Sequence, residues 1–86
     1  MNTRQRATLA AIFEHPTRSD VRWGDVKSML EATGARVENK RGSRRLVVIG
    51  EMRGVFHEPH PRGEMRKYAV EGMRRLLKEA GITPGE

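Results

Sequence analysis

Two short stretches hold the side chains best suited to chemistry. In Phe56-His57-Glu58-Pro59-His60-Pro61-Arg62, two imidazoles stand three residues apart around a carboxylate. Histidine moves protons near neutral pH, and cleaving RNA without a metal requires a base for the 2′-hydroxyl and an acid for the leaving oxygen. His60 and His57 are therefore the candidate catalytic residues. The plain alternative for His60 is a hydrogen-bonded pin in a stiff loop. A metal centre is disfavoured, because one further histidine exists and the spacing falls on a proline-locked loop, not on one helix face. No metal and no cofactor is expected.

The second stretch, Lys40-Arg41-Gly42-Ser43-Arg44-Arg45, puts four cations in six residues where a turn enters a strand. Such a segment can neutralise several phosphates. Gly42 lets backbone approach a ligand closely, and Ser43 adds a hydroxyl donor. A solvated hairpin tip is the alternative. Strand alternation sends Arg44, Leu46 and Val48 to one face and Arg45, Val47 and Ile49 to the other, so one arginine must face the open side. A third basic group, Arg62, Arg66, Lys67, Arg74, Arg75 and Lys78, marks the polar side of the last helix. Arg66 and Lys67, near its start, are best placed to meet phosphates across a groove. Lys78 complements the helix dipole.

The elements that position these groups follow from pattern and punctuation. Asn2 and Gln5 form a capping pair ahead of Leu9, Ile12 and Phe13, which predicts a first helix ended by His15 and Pro16. A second helix is predicted from Trp23 or Gly24 to Thr33, closed by Gly34. Ala35 to Glu38, Arg44 to Ile49 and Met52 to His57 read as strands, with a tight type II′ turn at Gly50-Glu51. Glu58 to Pro61 is a loop in which two prolines hold His60 extended. A last helix from about Glu64 to Ala80 carries Ala69, Val70, Met73, Leu76, Leu77 and Ala80 on one face.

The expected fold is α+β in two layers, a three-stranded antiparallel sheet with helices on one face in the order α-α-β-β-β-α. The other face stays open. With 86 residues there is room for one domain, 1–86, with a thin core. Seventeen Lys and Arg against eleven Asp and Glu give a net charge of +6, and the pI is about 10.8. That field attracts phosphate polymers, and the preference for arginine over lysine favours nucleic acid. One Trp, one Tyr and two Phe are few for lining an apolar small-molecule pocket. The absence of cysteine removes disulfides and zinc-thiolate sites and fits a reducing cytoplasm. Neither a signal peptide nor a membrane span is expected.

Three pieces, in order, resemble the HicA family, the small toxins of bacterial and archaeal type II toxin-antitoxin modules. They are Val26-Lys27-Ser28-Met29-Leu30-Glu31-Ala32-Thr33-Gly34, then Arg41-Gly42-Ser43, then Pro59-His60-Pro61 leading to Met73-Arg74-Arg75-Leu76-Leu77-Lys78-Glu79-Ala80-Gly81. The likeness covers residues 21–82 and leaves helix 1, within residues 1–16, outside. It implies a double-stranded-RNA-binding-domain-like (dsRBD-like) fold, mRNA as target, activity as a metal-independent endoribonuclease (an mRNA interferase), and neutralisation by a HicB-like antitoxin. Family members place the catalytic histidine directly after the Gly-Ser of the turn, where this chain has Arg44. Arginine binds phosphate and stabilises developing charge but cannot act as a base near neutral pH. Either His60 or His57 has taken over proton transfer, or the protein is a non-catalytic RNA-binding or regulatory module. A third reading is a protein-interaction domain, for instance a homodimer through helix 1 and the sheet edge.

Overall fold

Asn2 opens the chain's first helix, α1 (Thr3–Ile12), with a reciprocal cap. Its side chain accepts the Gln5 N–H, and the Gln5 side-chain oxygen accepts the Asn2 N–H, both at 2.8 Å. The computed structural model describes residues 1–59 and 63–85. Residues 60–62 are outside it, so the sequence-based assignments of His60 as catalytic and Arg62 as RNA-binding lie outside the described residues. The helix stops at Phe13, short of the predicted His15-Pro16 boundary. In a longer helix the Ile12 carbonyl would accept from residue 16, but Pro16 has no N–H to give. Arg74 supplies the donor instead, from Nε to the Ile12 carbonyl at 2.8 Å and from Nη2 to the Glu14 carbonyl at 3.1 Å. A residue predicted on the polar side of the last helix thus clamps that helix to the end of α1.

Helix α2 (Trp23–Ala32) buries Trp23, Val26, Met29 and Leu30 and carries Asp25 in its first turn. It ends in a Schellman motif: Gly34 N–H reaches the Glu31 carbonyl at 3.1 Å, and Ala35 N–H reaches the Leu30 carbonyl at 3.2 Å. Because Ala35 is still engaged by the helix cap, β1 runs Arg36–Asn39, one residue later than predicted. Strands β2 (Arg44–Ile49) and β3 (Met52–His57) match the prediction. Gly50, at φ +59°, opens their tight turn.

The sheet order is β1-β2-β3, antiparallel throughout. Its register pairs Arg45 with Phe56 and Val47 with Gly54 on the face that joins the core. The alternate residues, Arg36 and Glu38 of β1, Arg44, Leu46 and Val48 of β2, and Arg53, Val55 and His57 of β3, form the open face.

Helix α3 (Lys67–Glu79) starts three residues later than the predicted Glu64. Glu64 pairs with Arg22 in an isolated bridge, and Met65 donates its N–H to the Val21 carbonyl at 2.7 Å. With the backbone tied there, the Met65 side chain drops into the core at 2 % exposure. The far end of α3 is a second Schellman motif, with Gly81 N–H on the Lys78 carbonyl and Ile82 N–H on the Leu77 carbonyl. Ile12, Val26, Met29, Leu30, Val47, Val70, Met73 and Leu77 are fully buried and hold the two layers together. The predicted α+β order, α-α-β-β-β-α, is the one observed. No helix among the described residues is long and apolar enough to cross a membrane.

Candidate nucleic-acid interface

The hairpin that joins β1 to β2 is closed by its own backbone. Lys40 N–H donates to the Arg44 carbonyl at 2.9 Å, and Arg44 N–H to the Arg41 carbonyl at 3.3 Å. Gly42 takes φ +65°, a left-handed conformation that glycine adopts without steric cost. The turn is then stitched to the end of β3. The Ser43 carbonyl accepts the Glu58 N–H at 2.7 Å, and the Ser43 hydroxyl lies 3.0 Å from His57 Nε2.

The adjacent arginines divide by strand parity. Arg45, on the core side, turns its guanidinium onto Glu58 at 2.6 Å and onto the Gly42 and Arg44 carbonyls at 3.1 and 2.8 Å. With side chains only 16 % and 24 % exposed, Arg45 and Glu58 brace the turn from inside. Arg44 faces outward and is the register partner of His57. Neither Arg44 nor Arg41 has an ion-pair partner among the described residues, whereas Lys40 is 3.2 Å from Glu38. Arg36 and then Lys40, both hydrogen-bonded to Glu38, hold its carboxyl below the ordinary range. A positively charged outer rim and one exposed imidazole are thus set side by side.

Two clefts meet at His57. One, of about 460 Å³, runs from His57 and Pro59 to Arg66, Lys67 and Tyr68 at the start of α3. Arg66 and Lys67 are exposed, and no side chain caps that helix. The other cleft, of about 290 Å³, lies between β3 and α3 and is lined by Arg44, Val55, His57, Tyr68, Gly72 and Arg75 among others. The structure therefore brings Lys40, Arg41, Gly42, Ser43, Arg44 and Arg45 together with His57, and sets Arg66 and Lys67 beyond them on the far side of a cleft. Sequence reasoning missed Tyr68 and Val55 and gave Arg75 no particular role. The available signal was Tyr68, Gly72 and Arg75 at i, i+4 and i+7, an aromatic, a gap and a cation along one face of α3.

Fold and site together define a small basic α+β domain with an arginine-rimmed open sheet face. The family model described as the HicA toxin of bacterial toxin-antitoxin matches residues 23–82, and the chain belongs to that family. Neither the curated proteins nor the solved structures hold a match. The matched segment runs from α2 to just past α3, so it contains the whole α-β-β-β-α unit and the cleft between β3 and α3, while α1 and Ser19, which lines the larger cleft, lie outside it. Membership makes the protein a toxin of a toxin-antitoxin module and implies an antitoxin partner.

Proposed function

We propose that this toxin binds mRNA on the face formed by the β1–β2 turn, the end of β3 and the start of α3, and that it cleaves the RNA without a metal, using His57 as the proton acceptor. The observation that carries the reading is the exposed His57 ring, hydrogen-bonded to Ser43 and paired across the strands with the outward Arg44. In this reaction an imidazole nitrogen takes the 2′-hydroxyl proton, and the 2′-oxygen forms a bond to the adjacent phosphorus. The bond to the 5′-oxygen breaks, and that oxygen leaves with a proton from the imidazolium or from water. The products are a 2′,3′-cyclic phosphate and a 5′-hydroxyl. Arg44 holds the phosphate and stabilises its growing charge, a task suited to a guanidinium. Arg41, Arg66 and Lys67 bind flanking phosphates, and Arg45 supports the turn from behind. A HicB-like antitoxin holds the toxin inactive.

A second reading rests on Arg44 itself. The family's histidine position holds a residue that cannot accept a proton, which favours a protein that binds RNA and leaves it whole. Incubating purified protein with a labelled mRNA in EDTA separates the two. Cleavage with the stated product ends, lost in His57→Ala, supports catalysis. Intact RNA with an affinity that falls steeply with salt supports binding alone. No binding at low salt overturns both.

A further inference from the structure

Tyr68 is a large aromatic side chain that the core does not use. Of the four aromatic residues, Trp23 and Phe56 are buried and Phe13 is half-buried, while Tyr68 is 67 % exposed. It stands one residue into α3 on the wall of the cleft of about 290 Å³. Val55, on the open face of the edge strand β3 and itself 55 % exposed, lines the same cleft. Gly72, one turn further along α3, presents no side chain to the cleft; an added Cβ there would meet the edge of the Phe56 ring at 3.5 Å and the Arg75 guanidinium at 3.9 Å. The cleft therefore combines apolar surface from Val55, Phe56, Ala69 and the Tyr68 ring with two cations, Arg44 from β2 and Arg75 from α3. Neither of these arginines has an ion-pair partner among the described residues.

A flat aromatic beside an apolar wall, with free guanidiniums at the rim, suits a nucleobase whose phosphates lie on the arginines. Both faces of a base inside a duplex are covered by its neighbours, so such a platform takes only an unpaired base. We infer that the cleft between β3 and α3 binds an unpaired nucleotide by stacking on Tyr68, so that the toxin selects single-stranded or looped RNA even though its fold is dsRBD-like. The inference rests on the proposed RNA function and specifies its substrate. His57 lines the same cleft, which places the captured nucleotide's ribose beside the group that would take its proton. Displacement at phosphorus needs the attacking and leaving oxygens roughly in line, and a nucleotide pulled out of a helix can turn into that alignment.

The test compares two fluorescein-labelled probes, a 12-nucleotide oligouridine and a 12-base-pair RNA duplex, both with 2′-fluoro riboses so that neither can be cleaved. Anisotropy titrations are made with wild type, Tyr68→Phe and Tyr68→Ala. The expected result is that Tyr68→Ala weakens oligouridine binding by about 5- to 150-fold, the range for loss of one stacked base. Tyr68→Phe should keep most of the affinity, and duplex binding should be the same in all three. Tyr68 is exposed, so an unchanged unfolding midpoint should accompany the loss. Oligouridine binding that is equal in wild type and Tyr68→Ala overturns the stacking proposal and leaves the RNA function standing. Failure of wild type to bind either probe overturns the RNA function as well.

Discussion

The Ser43 hydroxyl and the His57 imidazole, fourteen residues apart in the chain, meet at 3.0 Å where the β1–β2 turn closes against the end of β3. The contact depends on three local features. Gly42 bends the turn, the Ser43 carbonyl takes the Glu58 N–H, and the Arg45–Glu58 pair locks the loop from the core side. If His57 is the proton acceptor, Ser43 acts as a positioning residue that holds the ring. Ser43→Ala is then expected to slow cleavage by about 2- to 12-fold, the worth of one net hydrogen bond, with RNA affinity unchanged. His57→Ala should cost about 100- to 10,000-fold. Single-turnover rates together with binding curves check both values; a Ser43→Ala defect confined to affinity would contradict the positioning role.

Arg74 links α3 to the last turn of α1 through two backbone carbonyls and the Thr17 hydroxyl. Arg74→Ala removes a charged donor that replaces the missing Pro16 N–H, and about 1.5–3 kcal/mol of stability should be lost. Arg74→Lys should recover only part of it, because an ammonium cannot span the same fork of acceptors. Chemical denaturation of the three proteins measures this, and equal midpoints would show that α1 needs no such clamp.

Two glycines that face Phe56 should respond oppositely to alanine. At Gly72 the new methyl meets ordinary contacts inside a helix, so Gly72→Ala should stabilise the fold by about 0.8–1 kcal/mol while narrowing the cleft beside Tyr68. At Gly54 the methyl would sit 3.1 Å from the Phe56 ring and 3.4 Å from Leu76, both buried, so Gly54→Ala should destabilise by about 1–3 kcal/mol. Thermal unfolding reads both signs. Stabilisation by both changes, or by neither, would refute this account of the packing.

Acid should weaken the fold partly through two carboxylates, the exposed Asp20 and the half-buried Glu38. Arg36 and Lys40 hold the Glu38 carboxyl below its ordinary range, and hydrogen bonds from Arg18 do the same for Asp20. Both groups ionise more readily in the folded protein than in the unfolded chain. Their contribution is therefore complete above the ordinary carboxylate range, about pH 4 to 4.5, and is lost as pH falls through the lowered folded values. Unfolding midpoints followed from pH 6 down should fall less steeply in Glu38→Gln than in wild type at low salt. Parallel curves would contradict the linkage.

Much of this architecture was legible from residue pattern. The Asn2–Gln5 cap, the Gly34 and Gly81 helix ends and the β2 and β3 spans follow from local signals, and the structure reproduces them. Two boundary features rest on contacts distant in sequence: Met65 is drawn to Val21, and Arg74 caps the end of α1 where Pro16 has no N–H. The late start of β1 is local, because the Leu30 carbonyl holds Ala35 in the cap of α2. The site divides in the same way. Strand alternation required one of Arg44 and Arg45 to face outward, but only the Glu58 contact shows which arginine is retained. Tyr68 carries only a faint signal in the sequence, its i, i+4, i+7 spacing with Gly72 and Arg75, because its cleft exists only once α3 packs beside β3.

Growth after induced expression tests most directly whether toxicity works through the Arg44–His57 site. Wild type, Arg44→Ala and His57→Ala are expressed without the antitoxin at levels matched by immunoblot. Wild type should arrest growth, while both variants should let the cells grow. Arrest by His57→Ala and Arg44→Ala as complete as that by wild type would contradict the account.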